Sequence, residues 1–268
     1  MFRTLLFCIA GLTPLLAAEE QLPKTLSMKI TATYRHDNKA FTQGLFYSGG
    51  FLYESTGNYG ASTLRQVEPK TGQVRKRVSL PKQFFAEGAA LVDDKIYQLT
   101  WQEGYCFVYD KETFQLTQQH RYRGEGWGLT FDGTHLILSD GSDTLTFYEP
   151  KTFKKVRTVK VAGTPPATKK TQPVKNLNEL EYIRGEVWAN IWHSHFIVRI
   201  DPKTGSVNGW IDCAGFVPEE FKAGQTENVL NGIAFDAATD TVYVTGKNWA
   251  VLYEIKLEQR DSHNPARE

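Results

Sequence analysis

The sequence predicts an all-β protein, a five-bladed β-propeller, and three observations carry that prediction. An apolar strand-like opening recurs five times, further strand-like runs follow each opening, and no helical period is sustained anywhere. The openings are Gln43-Gly-Leu-Phe-Tyr, Glu87-Gly-Ala-Ala-Leu, Trp127-Gly-Leu-Thr-Phe, Glu179-Leu-Glu-Tyr-Ile and Asn231-Gly-Ile-Ala-Phe. The second runs are Phe51-Leu-Tyr-Glu-Ser, Lys95–Trp101, His135–Asp140, Glu186–Trp192 and Thr241–Lys247. A third run ends in four units at a turn such as Glu68-Pro-Lys-Thr-Gly or Asp201-Pro-Lys-Thr-Gly, built from residues that favour β-turns. The fourth runs are Gln73–Leu80, Leu116–Tyr122, Lys155–Val161 and Ser206–Cys213. Units of about 40–53 residues with four strands each are propeller blades. Five aligned units disfavour the alternative, a β-sandwich.

The fifth unit stops at its third run, Val251–Leu257, and only the polar tail 258–268 follows. The missing strand stands at the other end of the chain. Lys29–His36 is a strand with no unit of its own, and pairing it into the last blade would close the ring and remove exposed edges.

Composition narrows the function. The 268 residues carry 31 Lys+Arg against 30 Asp+Glu, which argues against a nucleic-acid binder or an anionic-membrane binder. Residues 1–18 combine Arg3, an apolar stretch from Leu5 to Leu16 and the small pair Ala17-Ala18. That is the pattern of a secretory signal peptide, with an uncleaved anchor as the weaker reading. The expected organisation is a signal peptide over 1–18, a propeller over 19–257 and a tail over 258–268. The expected location is secreted or periplasmic, with no membrane contact in the mature form and a monomer by default. Cys106 and Cys213 fall in different units and are expected to be unpaired. The connections 162–177 and 214–228 are long enough to serve as functional rims, and the second has room for a helical turn.

Adjacent strands of a blade are antiparallel, so first-strand starts and second-strand ends share one face. The starts supply Gln43, Glu87, Trp127, Asn178 and Asn231; the ends supply Thr56, Trp101, Ser142, Trp192, Lys247 and Trp249. Four of the six tryptophans are thereby expected on one concave aromatic face. Glu87 is the pointed residue. A carboxylate among aromatics is costly to desolvate, should have a raised pKa, and then serves as a proton shuttle near neutral pH. Glu179 and Glu181 are candidates to line the channel too, with structural ion pairing as an equal alternative. His193-Ser-His195 places two imidazoles on one strand face, but with no third ligand in sight a metal site is disfavoured. There is no nucleophile elbow and no phosphate loop.

A set of motifs runs through the chain in order. They include Phe41-Thr-Gln-Gly-Leu45, Ala86-Glu-Gly88, Leu99-Thr-Trp101, Glu125-Gly-Trp-Gly-Leu-Thr130, Ser139-Asp-Gly-Ser142, Leu177-Asn-Glu-Leu-Glu181, Ala189-Asn-Ile-Trp192 and Asn228-Val-Leu-Asn-Gly-Ile-Ala234. Together they resemble the plant and bacterial glutaminyl cyclases, five-bladed propellers that convert an N-terminal glutamine to pyroglutamate with loss of ammonia. The resemblance spans about residues 28–257. It implies that Glu87 is the essential glutamate, that Trp101, Trp127 and Trp192 are channel tryptophans, and that Gln43 and Asn178 are site amides. It further implies that Lys247 is the lysine near the last blade and that Phe41 and Phe85 are aromatic positions around the site. The implied substrates are peptides or proteins with N-terminal glutamine, and no cofactor is required. Some members hold a structural calcium in the channel, but no ligands for one can be placed in this sequence. Two other readings remain open at this level: a propeller that binds peptides without turnover, and a metal-dependent lactonase or esterase, which the aromatic and amide channel set disfavours.

Overall fold

Runs of β-branched and aromatic residues between turn residues become short strands throughout. The computed structural model describes residues 24–26, 28–222 and 226–257. The expected signal peptide over 1–18 and the tail over 258–268 lie outside the described residues. Two strands precede the first blade, β1 (Lys24–Leu26) and β2 (Met28–Arg35). Blade 1 is β3 (Thr42–Ser48), β4 (Phe51–Thr56), β5 (Thr63–Val67) and β6 (Val74–Ser79). Blade 2 is β7 (Ala86–Val92), β8 (Lys95–Thr100), β9 (Tyr105–Asp110) and β10 (Leu116–Arg121). Blade 3 is β11 (Leu129–Phe131), β12 (Leu136–Ser139), β13 (Thr144–Glu149) and β14 (Lys154–Lys160). A two-residue pair, β15 (Ala162–Gly163) with β16 (Gln172–Pro173), tightens the first long connection. Blade 4 is β17 (Leu177–Ile183), β18 (Glu186–Ile191), β19 (Phe196–Ile200) and β20 (Val207–Asp212), with β1 added parallel to its edge. A 3₁₀ turn (Ala214–Phe216) and a single helical turn (Glu219–Lys222) lie in the second long connection. Blade 5 is β21 (Leu230–Asp236), β22 (Thr241–Gly246) and β23 (Val251–Leu257), with β2 antiparallel to β23 as its fourth strand.

The repeated turns have a common mechanism. The side chain of the leading acid accepts backbone N–H bonds from the residues that follow. Asp110 accepts from Thr113, Glu149 from Lys151 and Thr152, and Asp201 from Lys203 and Thr204. The apolar core is correspondingly divided into seams between neighbouring blades. Leu145 and Phe147 meet Val187 and Val198 between blades 3 and 4; Leu45 and Leu52 meet Ala234 and Tyr243 between blades 1 and 5. Cys106 and Cys213 are buried in two of these seams, both free, and burial pushes both thiols up.

At the axis each first strand lies against the first strand of the next blade, and β21 lies against β3. This approach needs residues without side chains. A Cβ on Gly44 would overlap Ala89 N, one on Gly88 would overlap Leu129 N, and one on Gly128 would overlap the carbonyl oxygen of Asn178. Blade 4 has Glu179 at the matching place. Its carboxylate reaches across the axis, accepting Leu45 N–H at 3.1 Å and Ile233 N–H at 2.9 Å. The residue before each of these positions sits at a register shift at the head of the first strand in blades 1, 2, 4 and 5. Such bulges re-aim side chains.

β2 also fastens blade 5 to blade 1. His36, just past its end, bonds the Trp249 carbonyl through Nδ1 at 2.7 Å and Glu54 Oε1 through Nε2 at 2.8 Å. Both partners accept only, so the ring must carry a proton on each nitrogen. Burial opposes that charge, but Glu54 and the Trp249 carbonyl outweigh it and raise the His36 pKa. Thr42 Oγ1 donates to the same Glu54 oxygen at 2.8 Å.

Gly128→Ala should destabilise the fold by on the order of 3 kcal/mol in urea unfolding, because its Cβ meets backbone rather than a movable side chain; wild-type stability would show that the axis can open. For His36, a raised folded pKa means stabilisation that is complete below the ordinary histidine value and lost as pH rises through the folded value. The melting-temperature gap between wild type and His36→Gln should therefore narrow from pH 6 to pH 9. A gap constant across that range would mean that the imidazole is not charged.

Candidate active site

The bulged heads of the first strands and the ends of the second strands meet in a cavity of about 350 Å³. Phe41, Gln43, Asn58, Phe85, Glu87, Trp101, Trp127, Asn178, Trp192, Glu227 and Lys247 line it. All nine site residues that the family resemblance implies are among them. Asn58 and Glu227 are additions. Glu227 lies in the connection 214–228, whose length marked it as a rim, but no motif distinguished its carboxylate. Asn58 sits with φ 88° in the turn after β4, where a left-handed backbone is tolerated by asparagine.

Aromatic edges build the walls. Phe85 meets Phe41, Tyr59 and Trp101 edge-to-face, with centroids 6.2, 5.3 and 5.7 Å away. Trp127 and Trp192 cross at 87° and 5.5 Å. Glu87 lies 5% exposed within this aromatic lining. Gln43 Nε2 donates to its Oε1 at 3.0 Å, and Gln43 is itself held by Asn231, whose Nδ2 donates to the Gln43 oxygen at 3.3 Å. Ser55 bonds the Glu87 backbone carbonyl. Burial drives the Glu87 pKa well above the usual carboxylate range; Lys247 pulls it down, and Glu125 and Glu103 push it further up. Lys247 is 4% exposed, its ammonium 4.8 Å from the Phe41 ring centre. Burial lowers its pKa, against the opposing pull of Glu87 and Glu227. The Asn178 side-chain oxygen is buried without a protein partner.

The structure corrects several expectations. Three tryptophans line the cavity, not four. Trp249 is fully buried in the seam between blades 4 and 5, its Nε1 donating to the Asn228 carbonyl at 2.9 Å, because the tight turn after Gly246 folds the indole back over that glycine. Thr56 and Ser142 bond locally, to Thr63 and Asp140, and Asn231 supports Gln43 from behind. Glu179 and Glu181 do not line this cavity and form no ion pair among the described residues. Each bonds backbone amides of neighbouring strands, Glu181 that of Phe235 at 3.0 Å, and burial pushes Glu181 up to about 8. His193 and His195 are in the turn between β18 and β19 rather than on a strand face, His193 with φ 59°. Among the described residues no group of three or more His, Cys, Asp or Glu side chains is placed to hold a metal ion.

The indole N–H groups are also committed elsewhere. Trp101 and Trp127 both donate to Glu125 Oε2, at 2.8 and 2.9 Å, and Trp192 donates to Glu227 at 3.3 Å.

The family model for glutamine cyclotransferases matches residues 4–257. Over 237 residues the chain is 40% identical to the glutaminyl-peptide cyclotransferase of Arabidopsis thaliana, a match covering 87% of this chain and 72% of that one. The chain belongs to the glutamine cyclotransferase family. The crystal structure of Myxococcus xanthus glutaminyl cyclase matches this fold with a TM-score of 0.80 at 39% identity, over 89% of this chain and 100% of that chain. The five-bladed architecture and the family expected from the motifs are therefore both correct.

Within this cyclotransferase fold the tryptophans divide into wall and core, and unfolding experiments should separate them. Trp249→Phe removes a buried hydrogen bond and part of a packed ring, at a cost of about 1–3 kcal/mol in urea unfolding. Trp127→Phe, at the cavity wall, should cost less. The reverse ranking would place Trp249 outside the core.

Proposed function

We propose that this pocket converts the N-terminal glutamine of a peptide or protein to pyroglutamate and ammonia, with Glu87 moving the proton. The chain is a cyclotransferase, and the observation that carries the mechanism is Glu87 itself: a buried carboxylate of raised pKa, bonded by Gln43, in an aromatic cavity that also holds one buried ammonium, Lys247.

The α-ammonium of the substrate gives a proton to the Glu87 carboxylate. The freed amine attacks the side-chain amide carbon of the same residue, forming the ring C–N bond and placing negative charge on the amide oxygen. The protonated Glu87 then returns its proton to the amide nitrogen, the C–N bond to that nitrogen breaks, and ammonia leaves. The second proton of the ring nitrogen, left over from the attacking amine, passes to the departing ammonia, so the products are neutral pyroglutamate and ammonium with Glu87 again a carboxylate. A raised pKa suits both halves of this traffic, since the same group must accept and release a proton near neutral pH. Lys247 and Asn178 are the groups available to the developing oxyanion. The indole N–H donors are not, because carboxylates hold all three. Gln43 acts by fixing Glu87. The walls of Phe41, Phe85, Trp101, Trp127 and Trp192 exclude water and restrain the alkyl chain, which is where an intramolecular reaction gains most.

No cofactor has a part in this scheme. The leader-like segment 1–18 supports a secreted or periplasmic location for the enzyme, and a monomer is sufficient for the pocket as built. Turnover, rather than peptide binding alone, is favoured by family membership; a metal-dependent lactonase is disfavoured by a donor set of amides and aromatics.

The test is ammonia release from a short Gln-initiated peptide, with the product's mass recorded. Glu87→Gln should fold normally and lose roughly 100- to 10,000-fold in kcat. Because the base must be ionised, wild-type kcat should fall as pH drops through the raised Glu87 value, well above the range of an ordinary carboxylate. Near-normal turnover by Glu87→Gln would move the proton shuttle to another group.

A further inference from the structure

Glu125 lies outside the set of residues that line the cavity, on the segment joining blades 2 and 3, yet it touches two of the cavity's walls. Its Oε2 accepts the indole N–H of Trp101 at 2.8 Å and that of Trp127 at 2.9 Å, while Oε1 accepts Gln102 Nε2 at 3.1 Å. The two indoles belong to different blades, one following β8 and the other heading blade 3. A single oxygen therefore sets their separation and tilt. The segment that carries it is fixed from both sides: Gly126 N–H donates to the Trp101 carbonyl at 3.0 Å and Trp127 N–H to the Ser139 carbonyl at 2.9 Å. A side chain at Gly126 would run into the Tyr122 hydroxyl, so the segment has one path. Burial raises the Glu125 pKa, but the bonds from Trp127, Trp101 and Gln102 outweigh it and hold the carboxyl below its ordinary value. It is charged at neutral pH, and hydrogen bonds to a charged acceptor are the strong kind.

We propose that Glu125 is a positioning residue of the cyclisation. Its carboxylate clamps Trp101 and Trp127 in the arrangement that grips the glutamine side chain, and it occupies both indole N–H donors so that the substrate's amide oxygen is left to Lys247 and Asn178. This rests on the cyclotransferase reading of the pocket.

A second consequence reaches Glu87 through charge. Lys247, Glu125 and Glu103 act on the Glu87 carboxyl, which in turn acts on the Tyr59 and Tyr122 hydroxyls, and Gln43 is its hydrogen-bond donor. Of these, Glu125 couples to Glu87 with the same sign and so favours its protonated form. Removing that charge makes Glu87 a weaker base, and the acidic limb of the rate profile moves to lower pH. A residue that served folding alone would leave that limb in place.

The experiment compares wild type with Glu125→Ala, Glu125→Gln and Glu125→Asp on one Gln-initiated peptide, recording kcat, KM, the pH profile of kcat/KM and the near-ultraviolet circular dichroism of the free protein. Glu125→Ala should raise KM by about tenfold or more with a smaller change in kcat, and alter the tryptophan dichroism. Glu125→Gln keeps one oxygen for the indoles and loses the charge. It should raise KM less, yet shift the acidic limb down by on the order of half a pH unit. Glu125→Asp should keep the limb where it is in wild type. Unchanged KM, limb and dichroism in folded Glu125→Ala would overturn the proposal, as would loss of activity with no shift of the limb in Glu125→Gln. A wild type that releases no ammonia would instead overturn the cyclotransferase reading, and the dichroism of the variants would still decide whether Glu125 sets the indoles.

Discussion

The first strands of blades 1, 2 and 3 pass so close to their neighbours that a single methyl group at Gly44, Gly88 or Gly128 would overlap backbone of the next blade. That approach places consecutive residues in different worlds. The glycine faces the neighbouring strand, and the residue before it, at a register shift in blades 1 and 2, turns to the end of the channel. Gln43 and Glu87 arrive at the cavity floor in this way, and Trp127 heads blade 3 next to Gly128. Blade 4 obeys the same rule with a different residue. Asn178 takes the floor position, and Glu179 spans the axis to amides of blades 1 and 5. The carboxylate there replaces the hydrogen bonds that two strand heads would otherwise have to find in water they cannot reach.

Closing the axis on one side leaves Glu87 and Lys247 buried at the cavity, and its chemistry follows from that. Glu87 loses solvation and rises; Lys247 loses solvation and falls; each opposes the other's shift. The pair is thereby brought from opposite ends of the pH scale toward the range where protons are exchanged. Surrounding groups refine the balance rather than create it. Asn231 holds Gln43, Gln43 holds Glu87, and Ser55 holds the backbone beneath it, so the carboxyl has few ways to turn. Two carboxylates stand beside the walls, Glu125 tied to the indoles of Trp101 and Trp127 and Glu227 to that of Trp192.

The architecture was legible in the sequence because propeller blades repeat, and repeats expose their own register. Comparing Gln43-Gly, Glu87-Gly and Trp127-Gly finds both the glycine and the cavity residue before it, while at Asn231-Gly the same comparison finds the residue that holds Gln43 from behind. What the comparison missed lies outside the repeat. Glu125 and Glu227 sit in connections, which differ from blade to blade, and their role is set by which indole N–H comes within reach. Trp249 is misplaced because it lies three residues past the end of β22, in a turn that strand alternation does not govern. His193 and His195 fail for the same reason. Glu179 and Glu181 were recognised as unusual, but a carboxylate that bonds backbone amides across an axis leaves no partner in the sequence to find, since any residue supplies the same N–H.

The division of hydrogen-bond donors is the feature that most restricts how such a pocket can work. Three tryptophans bring three N–H groups to the cavity, enough in number to stabilise an oxyanion without a lysine. Glu125 and Glu227 take all three. Neutral N–H donors also hold an oxyanion more tightly than a carbonyl, but here carboxylates already hold these three. A buried ammonium behaves differently, because its attraction to a full negative charge far exceeds its attraction to a carbonyl dipole in a medium of low polarity. Tying the indole N–H groups to carboxylates, Glu125 outside the lining and Glu227 within it, leaves the aromatic ring surfaces to face the substrate. In the proposed cyclisation Lys247 and Asn178 are then left to act where charge develops, on the same face of the fold as Glu87, the group proposed to take the first proton from the attacking amine.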